Sequence, residues 1–156
     1  MWALNLKTNR AFNFSGSGKE GNLNHKSDIK LCEWAQPSGL SIGLISQNHI
    51  ELYVADSESS SIRAINMKTL TSARNVIGGD QNPKNLHSFG DRDGVSYEAK
   101  LQHPLGVHFV PEKNVILIAD TYNHKVKVLD PFRNEAFSWL GGADTTLVSL
   151  KDGTTS

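Results

Sequence analysis

Residues 115–130 read VILIADTYNHKVKVLD and contain the pattern that decides the fold. An apolar run ends at Asp120, a short polar turn follows, and apolar and polar side chains then alternate from Lys125 onward. Two strand-like runs separated by a polar turn are typical of a β-hairpin. Residues 51–66, ELYVADSESSSIRAIN, have the same pattern 64 residues earlier. The sequence therefore predicts a repeated β-hairpin.

Each hairpin lies within a longer unit that occurs twice, at 36–79 and at 103–142. Both units open with a proline and a glycine and close on paired glycines. We predict four strands in each unit, at 40–45, 50–56, 61–67 and 73–77, and at 107–110, 115–119, 125–129 and 136–140. Four short strands in about 40–50 residues are typical of one blade of a β-propeller.

The remaining residues divide into a partial unit and three connectors. Residues 1–8 align with 62–69, so 1–16 match the end of a blade. We interpret 17–35, 80–102 and 143–156 as connectors, and nothing between the strands has a helical period. The prediction is an all-β fold, a partial β-propeller of about two and a third four-stranded blades, where closed propellers have about four to eight.

That blade number leads us to expect a fragment of a longer protein. Open blade faces expose core residues and unpaired strand edges. Alone, this piece is therefore expected to be poorly soluble or to self-associate through its open blade faces.

Composition limits the partners and the cell compartment. Of 156 residues, 38% are hydrophobic, and 16 basic residues balance 16 acidic ones, which gives no general attraction to nucleic acid or anionic membranes. No apolar run approaches about 18 residues, and the first residues lack a signal-peptide core. Cys32 is the single cysteine, so an internal disulfide, a Cys-x-x-Cys pair and a cysteine-based zinc site are excluded. We expect a cytoplasmic protein without membrane contact.

The turn at 119–126, ADTYNHKV, resembles the NHL repeat, whose name comes from the Asn-His pair found here as Asn123 and His124. Both units share the opening Pro-x-Gly, and Asp93-Gly94 precedes the second unit as in the family. The first unit departs from the pattern, with Ser59 and Ser60 at the Asn-His positions. The resemblance covers nearly the whole chain and implies propeller blades.

The long connector adds a narrower resemblance. GDRDG at 90–94, followed by the second unit, is similar to family members that carry a thioredoxin-like domain ahead of the propeller. This chain has no such domain and no Cys-x-x-Cys. Thioredoxin chemistry is therefore not expected of it.

Asp56 and Asp120 each follow an alanine at a strand end and invite a catalytic or metal-binding interpretation. A turn aspartate also accepts hydrogen bonds from backbone N–H groups two residues on, and recurrence in both units favours this structural role. We predict that the recurring polar, proline and glycine positions are turn residues of the repeat. They are Asp56, Asp120, Asn123, His124, Gly39, Gly106, Pro37 and Pro104.

Two candidate metal sites are not favoured by the sequence. Asp91-x-Asp93-Gly94 resembles the start of a calcium loop, but an EF-hand loop needs Asp or Asn where this chain has Val95, so we predict a turn. The histidines of the second unit suggest zinc, but they do not form a three-ligand set within one blade. They are His103, His108 and His124. We predict no metal, cofactor or catalytic residue.

His108 is the residue that keeps an enzyme hypothesis open. It is expected on the innermost strand, near a central channel and facing Ser41, where it could contribute to a site built by several blades. The family resemblance implies that such an enzyme would be a metal-dependent lyase or hydrolase.

A third hypothesis is RNA binding through a basic and aromatic face. Arg63, Lys125 and Lys127 would supply the charge, and Tyr122 and Trp2 would stack on bases. Basic residues on an outward strand are more often a solvated face, and the chain has no net charge, so RNA is not favoured.

The favoured function is a non-catalytic scaffold that binds a protein partner of unknown identity. All the polar residues identified above have a structural role in the repeat, and function has to be argued from a site rather than from a fold. We predict the interface in the connector at Asp91, Arg92 and Asp93, because the connectors differ most between the units.

Overall fold

The computed structural model describes residues 1–141 of the chain. Within them lie eleven strands: β1 (Trp2–Asn5), β2 (Arg10–Asn13), β3 (Pro37–Ser46), β4 (His49–Asp56), β5 (Ser61–Asn66), β6 (Ala73–Gly78), β7 (Gly94–Val95), β8 (Pro104–Val110), β9 (Val115–Asp120), β10 (Lys125–Asp130) and β11 (Glu135–Gly141). Three single-turn 3₁₀ helices span Ile29–Leu31, Ser96–Glu98 and Thr121–Asn123. None of the helices in residues 1–141 is long and apolar enough to cross a membrane.

The strands form three antiparallel sheets. Blade 1 is the pair β1–β2, blade 2 has the order β3-β4-β5-β6, and blade 3 has the order β7-β11-β10-β9-β8. The predicted all-β fold of consecutive propeller blades is confirmed. The described residues end at 141. They do not include Gly142, the second of the paired glycines predicted to close blade 3, or the predicted connector 143–156.

The predicted strand limits of blades 2 and 3 agree with the structure to within three residues. The largest difference is at the first strand of each blade, which starts earlier, at Pro37 and at Pro104. A register irregularity follows both prolines, so pairing resumes at Leu40 and at Gly106. An interrupted alternation of this kind hides the start of a strand from a sequence pattern.

The connectors carry more structure than predicted. The 3₁₀ turns at Ile29–Leu31 and Ser96–Glu98 occupy equivalent places before blades 2 and 3. In the second connector, β7 pairs with Glu135 and Ala136 of β11, so blade 3 has five strands rather than four. A strand of two residues is too short to show alternation.

Blades 2 and 3 pack face to face around a shared apolar core. Tyr53 and Ala55 of blade 2 meet Val107 and Phe109 of blade 3, and Leu101 of the connector closes the outer side. A second core, under the first connector, joins blade 2 to the end of blade 1. Its buried members are Ile29, Cys32, Trp34, Val54, Ile65 and Ala73.

Candidate functional site

Asp56 is fully buried and joins the end of β4 to the chain segment that leads into blade 2. Its Oδ1 accepts hydrogen bonds from the backbone N–H groups of Ala35 and Gln36, at 2.9 and 2.8 Å. Its Oδ2 accepts from Ser59 Oγ at 3.0 Å and from Arg63 Nη1 at 2.7 Å. The carboxylate is thus saturated by partners within the chain.

Asp120 has the same role in blade 3. It is fully buried, and its Oδ1 accepts the N–H of Gln102 at 2.7 Å, while Oδ2 accepts from Asn123 Nδ2 at 2.8 Å. Burial raises the pKa of Asp120, and these two hydrogen bonds only partly oppose that increase. Gln102 and Ala35 stand at equivalent places before their blades, so the two aspartates make equivalent bonds.

These partners differ from the ones predicted. We expected each aspartate to accept N–H groups two residues further on, within its own turn. Instead the carboxylates bind N–H groups about 20 residues earlier in the chain, and so hold the entry of each blade against its second strand. Local turn chemistry cannot reveal so distant a donor.

Arg63 is fully buried beside Asp56, contrary to the prediction of a solvated basic face. Its guanidinium also donates to the carbonyl oxygens of Glu33 and Leu23, at 2.6 and 2.9 Å, and its Cζ lies 4.1 Å from the ring centroid of Trp34. A planar group with five donors suits this site, because carbonyls, a carboxylate and an aromatic face can all engage it at once. Arg63 and Asp56 together hold the first connector against blade 2.

Lys127 holds the equivalent position in blade 3 and is also fully buried. Its Nζ lies 2.8 Å from Asp93 Oδ1 and 3.1 Å from Asp91 Oδ1, and the neighbouring Lys125 binds Asp91 Oδ2 at 2.6 Å. Burial raises the pKa of Asp93, but hydrogen bonds from Lys127 and Ser138 outweigh it and leave the pKa below its ordinary value. The second connector is therefore fastened to blade 3 by ion pairs.

The basic face proposed for RNA does not form as predicted. Arg63 and Lys127 are buried, and Lys125 is paired with Asp91. Trp2 and Tyr122 are exposed, on blade 1 and on a turn of blade 3. The three basic groups that suggested the hypothesis are thus neutralised within the chain.

The three histidines of blade 3 do not come together as a metal site. Within residues 1–141, no group of three or more His, Cys, Asp or Glu side chains could hold a metal ion. His103 stacks on Tyr122, with ring centroids 4.4 Å apart, and its Nε2 lies 3.4 Å from Glu58.

His108 does not face Ser41. Val107 and Phe109 point into the core between the blades, so alternation places His108 on the opposite face of β8, where it is exposed. Ser41 Oγ instead accepts the backbone N–H of Phe109 at 2.9 Å.

One buried polar cluster was missed by the sequence analysis. Glu51 accepts hydrogen bonds from Tyr53 Oη at 2.7 Å and from Arg74 at 2.8 and 2.9 Å, and Arg74 Nη1 reaches Asn134 of blade 3 at 3.0 Å. Burial raises the pKa of Glu51, but the Arg74 and Tyr53 bonds outweigh it and keep the pKa below its usual value. The only sequence signal was an acidic residue inside a strand. The cluster ties blade 2 to the β10–β11 turn of blade 3.

The chain is similar in sequence to parts of longer known proteins. A human protein, NHL repeat-containing protein 2, is 44% identical over 144 residues, which cover 92% of this chain and 19% of the human protein. The chain is homologous to a segment of NHL repeat-containing protein 2. Protein SUPPRESSOR OF QUENCHING 1, chloroplastic, from Arabidopsis thaliana is 45% identical over 141 residues, covering 90% of this chain and 12% of that protein. No family profile matches the chain.

The NHL repeat segment thus spans about a fifth of the length of its human relative. Two solved structures share the fold, both of auxiliary nutrient binding proteins, from Bacteroides thetaiotaomicron and Bacteroides ovatus. Their TM-scores are 0.58 and 0.63, with 18% and 15% identity. They cover 86% and 89% of this chain, and the matched part is 30% and 32% of each structure.

The Asn-His pair of the NHL repeat and its Ser-Ser replacement do equivalent work in the two blades. Asn123 donates to Asp120 and to the carbonyl of Gly90, whereas Ser59 donates to Asp56. His124 and Ser60 both adopt the left-handed conformation, with φ of 54° and 49°. In both turns a short polar side chain holds the aspartate and the next residue reverses the chain.

Proposed function

We propose that this NHL repeat segment is a non-catalytic scaffold that binds a protein partner through the connector 80–102. One observation carries the proposal. Asp56 and Asp120 occupy equivalent positions in blades 2 and 3 and accept equivalent backbone N–H groups. Arg63 and Lys127, also at equivalent positions, each bind the connector before their blade, whereas the exposed residues of the two connectors differ. A constant frame with variable exposed segments suits a binding module.

The polar side chains that could otherwise take part in catalysis are bonded within the chain. Asp56, Asp120, Arg63 and Lys127 are all fully buried and bonded to the chain. A catalytic group has to reach a substrate, and a group with a special role is expected in one repeat rather than in both. These four residues fit a structural role better than a catalytic one.

The part of the connector nearest blade 3 is held in place before any partner arrives. Asp91 and Asp93 are ion-paired with the start of β10, and Gly94 pairs with β11. A surface that is already ordered loses less conformational entropy on binding. Asp91 and Asp93 therefore position the interface, while Arg92 between them is exposed and is the residue best placed to contact a partner.

Arg92 suggests the chemistry of that partner. Its Nε donates to the carbonyl of Glu98 at 2.6 Å, which restrains the side chain, and the residue is exposed. A guanidinium fork matches a carboxylate in a bidentate geometry. We therefore expect an acidic side chain of the partner at this point.

The test compares Arg92 of the connector with Arg133 of blade 3 in the full-length protein. A photo-crosslinking residue at position 92 should give a discrete protein adduct, whereas one at Arg133, in the exposed β10–β11 turn, should give none. For the captured partner, Arg92→Glu should weaken binding about tenfold and Arg133→Glu should not change it. Equal adducts from both positions, or unchanged binding with Arg92→Glu, would contradict the proposal.

A further inference from the structure

The outermost strand of blade 2 has an open edge. Within residues 1–141, β6 pairs with β5 alone, whereas β11, its counterpart in blade 3, also pairs with β7 opposite Ala136. Ala73 of β6 corresponds to Ala136, because the two residues lie opposite Ile65 and Leu129, the fifth residues of β5 and β10. The edge of β6 around Ala73 therefore presents backbone groups that a further strand would satisfy.

The first connector does not fill this edge. β7 directly precedes the 3₁₀ turn of the second connector, and Ser27 and Asp28 directly precede the 3₁₀ turn of the first. The backbone N–H groups of Ser27 and Asp28 donate to His25 Nδ1, at 3.4 and 3.1 Å, instead of to a strand. The segment at the place of β7 is thus bonded within its own connector, and the edge of β6 stays open.

A groove of about 470 Å³ borders the start of β6. The first connector, β6 and the second connector all contribute to it. Its lining residues are Asn24, Lys26, Ser72, Ala73, Arg74, Asn75 and Tyr97. This volume lies within the range of about 300–1,000 Å³ that ligand sites occupy. A short stretch of peptide therefore has room beside the strand edge.

The chemistry of the groove favours an acidic ligand, because two of its lining residues are basic and none is acidic. The Lys26 side chain is exposed and makes no hydrogen bond or ion pair within residues 1–141. Arg74 uses three of its five N–H donors on Glu51 and Asn134, which leaves two. Glu51 balances the charge of Arg74, so Lys26 gives the groove a net positive charge. The lining is thus complementary to a carboxylate.

The corresponding groove of blade 1, beside β2, has a different lining. Residues 11–16 align with 73–78, so Phe12 stands where blade 2 has Arg74. The residues that line this second groove are Phe12, Asn13, Phe14, Asp28, Ile29, Lys30 and Leu70. A basic lining is therefore not required by the repeat itself. A role particular to blade 2 accounts for it better, since function has to be argued from a site rather than from a fold.

We propose that the open edge of β6 binds an extended acidic segment of a partner protein, which adds a fifth strand to blade 2 and places a carboxylate against Lys26 and Arg74. The backbone hydrogen bonds of strand addition supply affinity, and the basic groove selects for an acidic side chain. Arg92 does not line this groove, so the proposal does not depend on the proposed function.

The test titrates three fluorescent peptides into the full-length protein and follows their fluorescence anisotropy. The peptide TVTVEVTVT favours an extended conformation, has one central carboxylate and should bind saturably. Replacing its glutamate by glutamine should weaken binding about tenfold, because the charge is lost. N-methylation of its central backbone nitrogens prevents strand pairing without altering the carboxylate, and it should abolish binding.

Two lysines of the first connector locate the binding site. Lys26→Glu should weaken binding of the acidic peptide at least about tenfold. Lys30→Glu is the matched control, because Lys30 is exposed in the same connector but lies outside the groove, and it should leave binding unchanged. Bound peptide should also slow amide hydrogen exchange at residues 72–75.

Four results would overturn the proposal. They are no binding of the acidic peptide, equal effects of the two lysine variants, equally tight binding of the glutamine or N-methylated peptide, and unchanged hydrogen exchange at residues 72–75. Sedimentation gives a further check on the occupant. A dimer that Lys26→Glu dissociates would also contradict the proposal, since a second copy of the chain would then occupy the edge.

Discussion

Replacing Arg63 with methionine is expected to lower the free energy of unfolding by about 3–5 kcal/mol. The substitution leaves the Asp56 carboxylate buried without its counter-charge, and it removes the donors that hold the carbonyls of Glu33 and Leu23. Urea denaturation measures the loss. Trp34 lies against the guanidinium and should report the change locally through its fluorescence.

Two further variants show whether the lost charge pair is the cause. Arg133 is exposed, so Arg133→Met should change stability by no more than about 0.5 kcal/mol. The double variant Arg63→Met with Asp56→Asn should recover part of the loss, because the amide oxygen still accepts the Ala35 and Gln36 N–H groups. A loss below about 1 kcal/mol for Arg63→Met would contradict the burial of the pair.

Gly39→Val should be about as damaging, with an expected loss near 3 kcal/mol. A Cβ at this position would stand 2.9 Å from Gly106 Cα as well as 2.7 Å from the Leu105 carbonyl oxygen. Both obstacles are backbone atoms of blade 3, which cannot turn aside as a flexible side chain can. The two blades would have to separate.

Gly106→Val is the matched control, at the equivalent position of blade 3. There a Cβ meets only Ala119 Cβ, at 3.2 Å, and we expect a loss of less than about 1 kcal/mol. Urea denaturation of both variants tests the difference. Equal losses at the two positions would mean that the close packing of blade 2 on blade 3 is not what Gly39 provides.

The strands could be predicted because they depend on local patterns. Alternation between Lys125 and Asp130, and the polar turn before it, are written in consecutive residues. The repetition of both features assigned the blades even where the family's Asn-His pair is absent, at Ser59 and Ser60. β7 could not be found this way, because its two residues pair with a strand 40 residues later.

The buried charges could not be predicted from local pattern. Arg63 and Lys127 each sit in a strand that alternates polar and apolar side chains, so they seemed to face solvent. They are buried because the connector before each blade folds back over them. The second connector supplies Asp91 and Asp93 to Lys127. The available signal was a basic residue at the same place in both units together with a pair of acids in the intervening connector.

Recurrence of Asp56 and Asp120 predicted a structural rather than a catalytic role for both, and that assignment stays a prediction. Their partners before each blade were missed, because Gln36 and Gln102 are far away in sequence and carry no distinguishing feature. His108 failed for a related reason, since its face depends on which side of β8 blade 2 covers.

We expect the recurring aspartates Asp56 and Asp120 to stabilise the blades rather than to form a reactive site. The most direct test of this claim is the free energy of unfolding of Asp56→Ala and Asp120→Ala, measured in parallel by urea denaturation. Both substitutions leave buried N–H groups without an acceptor, so we predict that each lowers stability by at least about 1–3 kcal/mol. Unchanged or increased stability in either variant would contradict the claim, because that is the behaviour of residues kept for function at a cost to the fold.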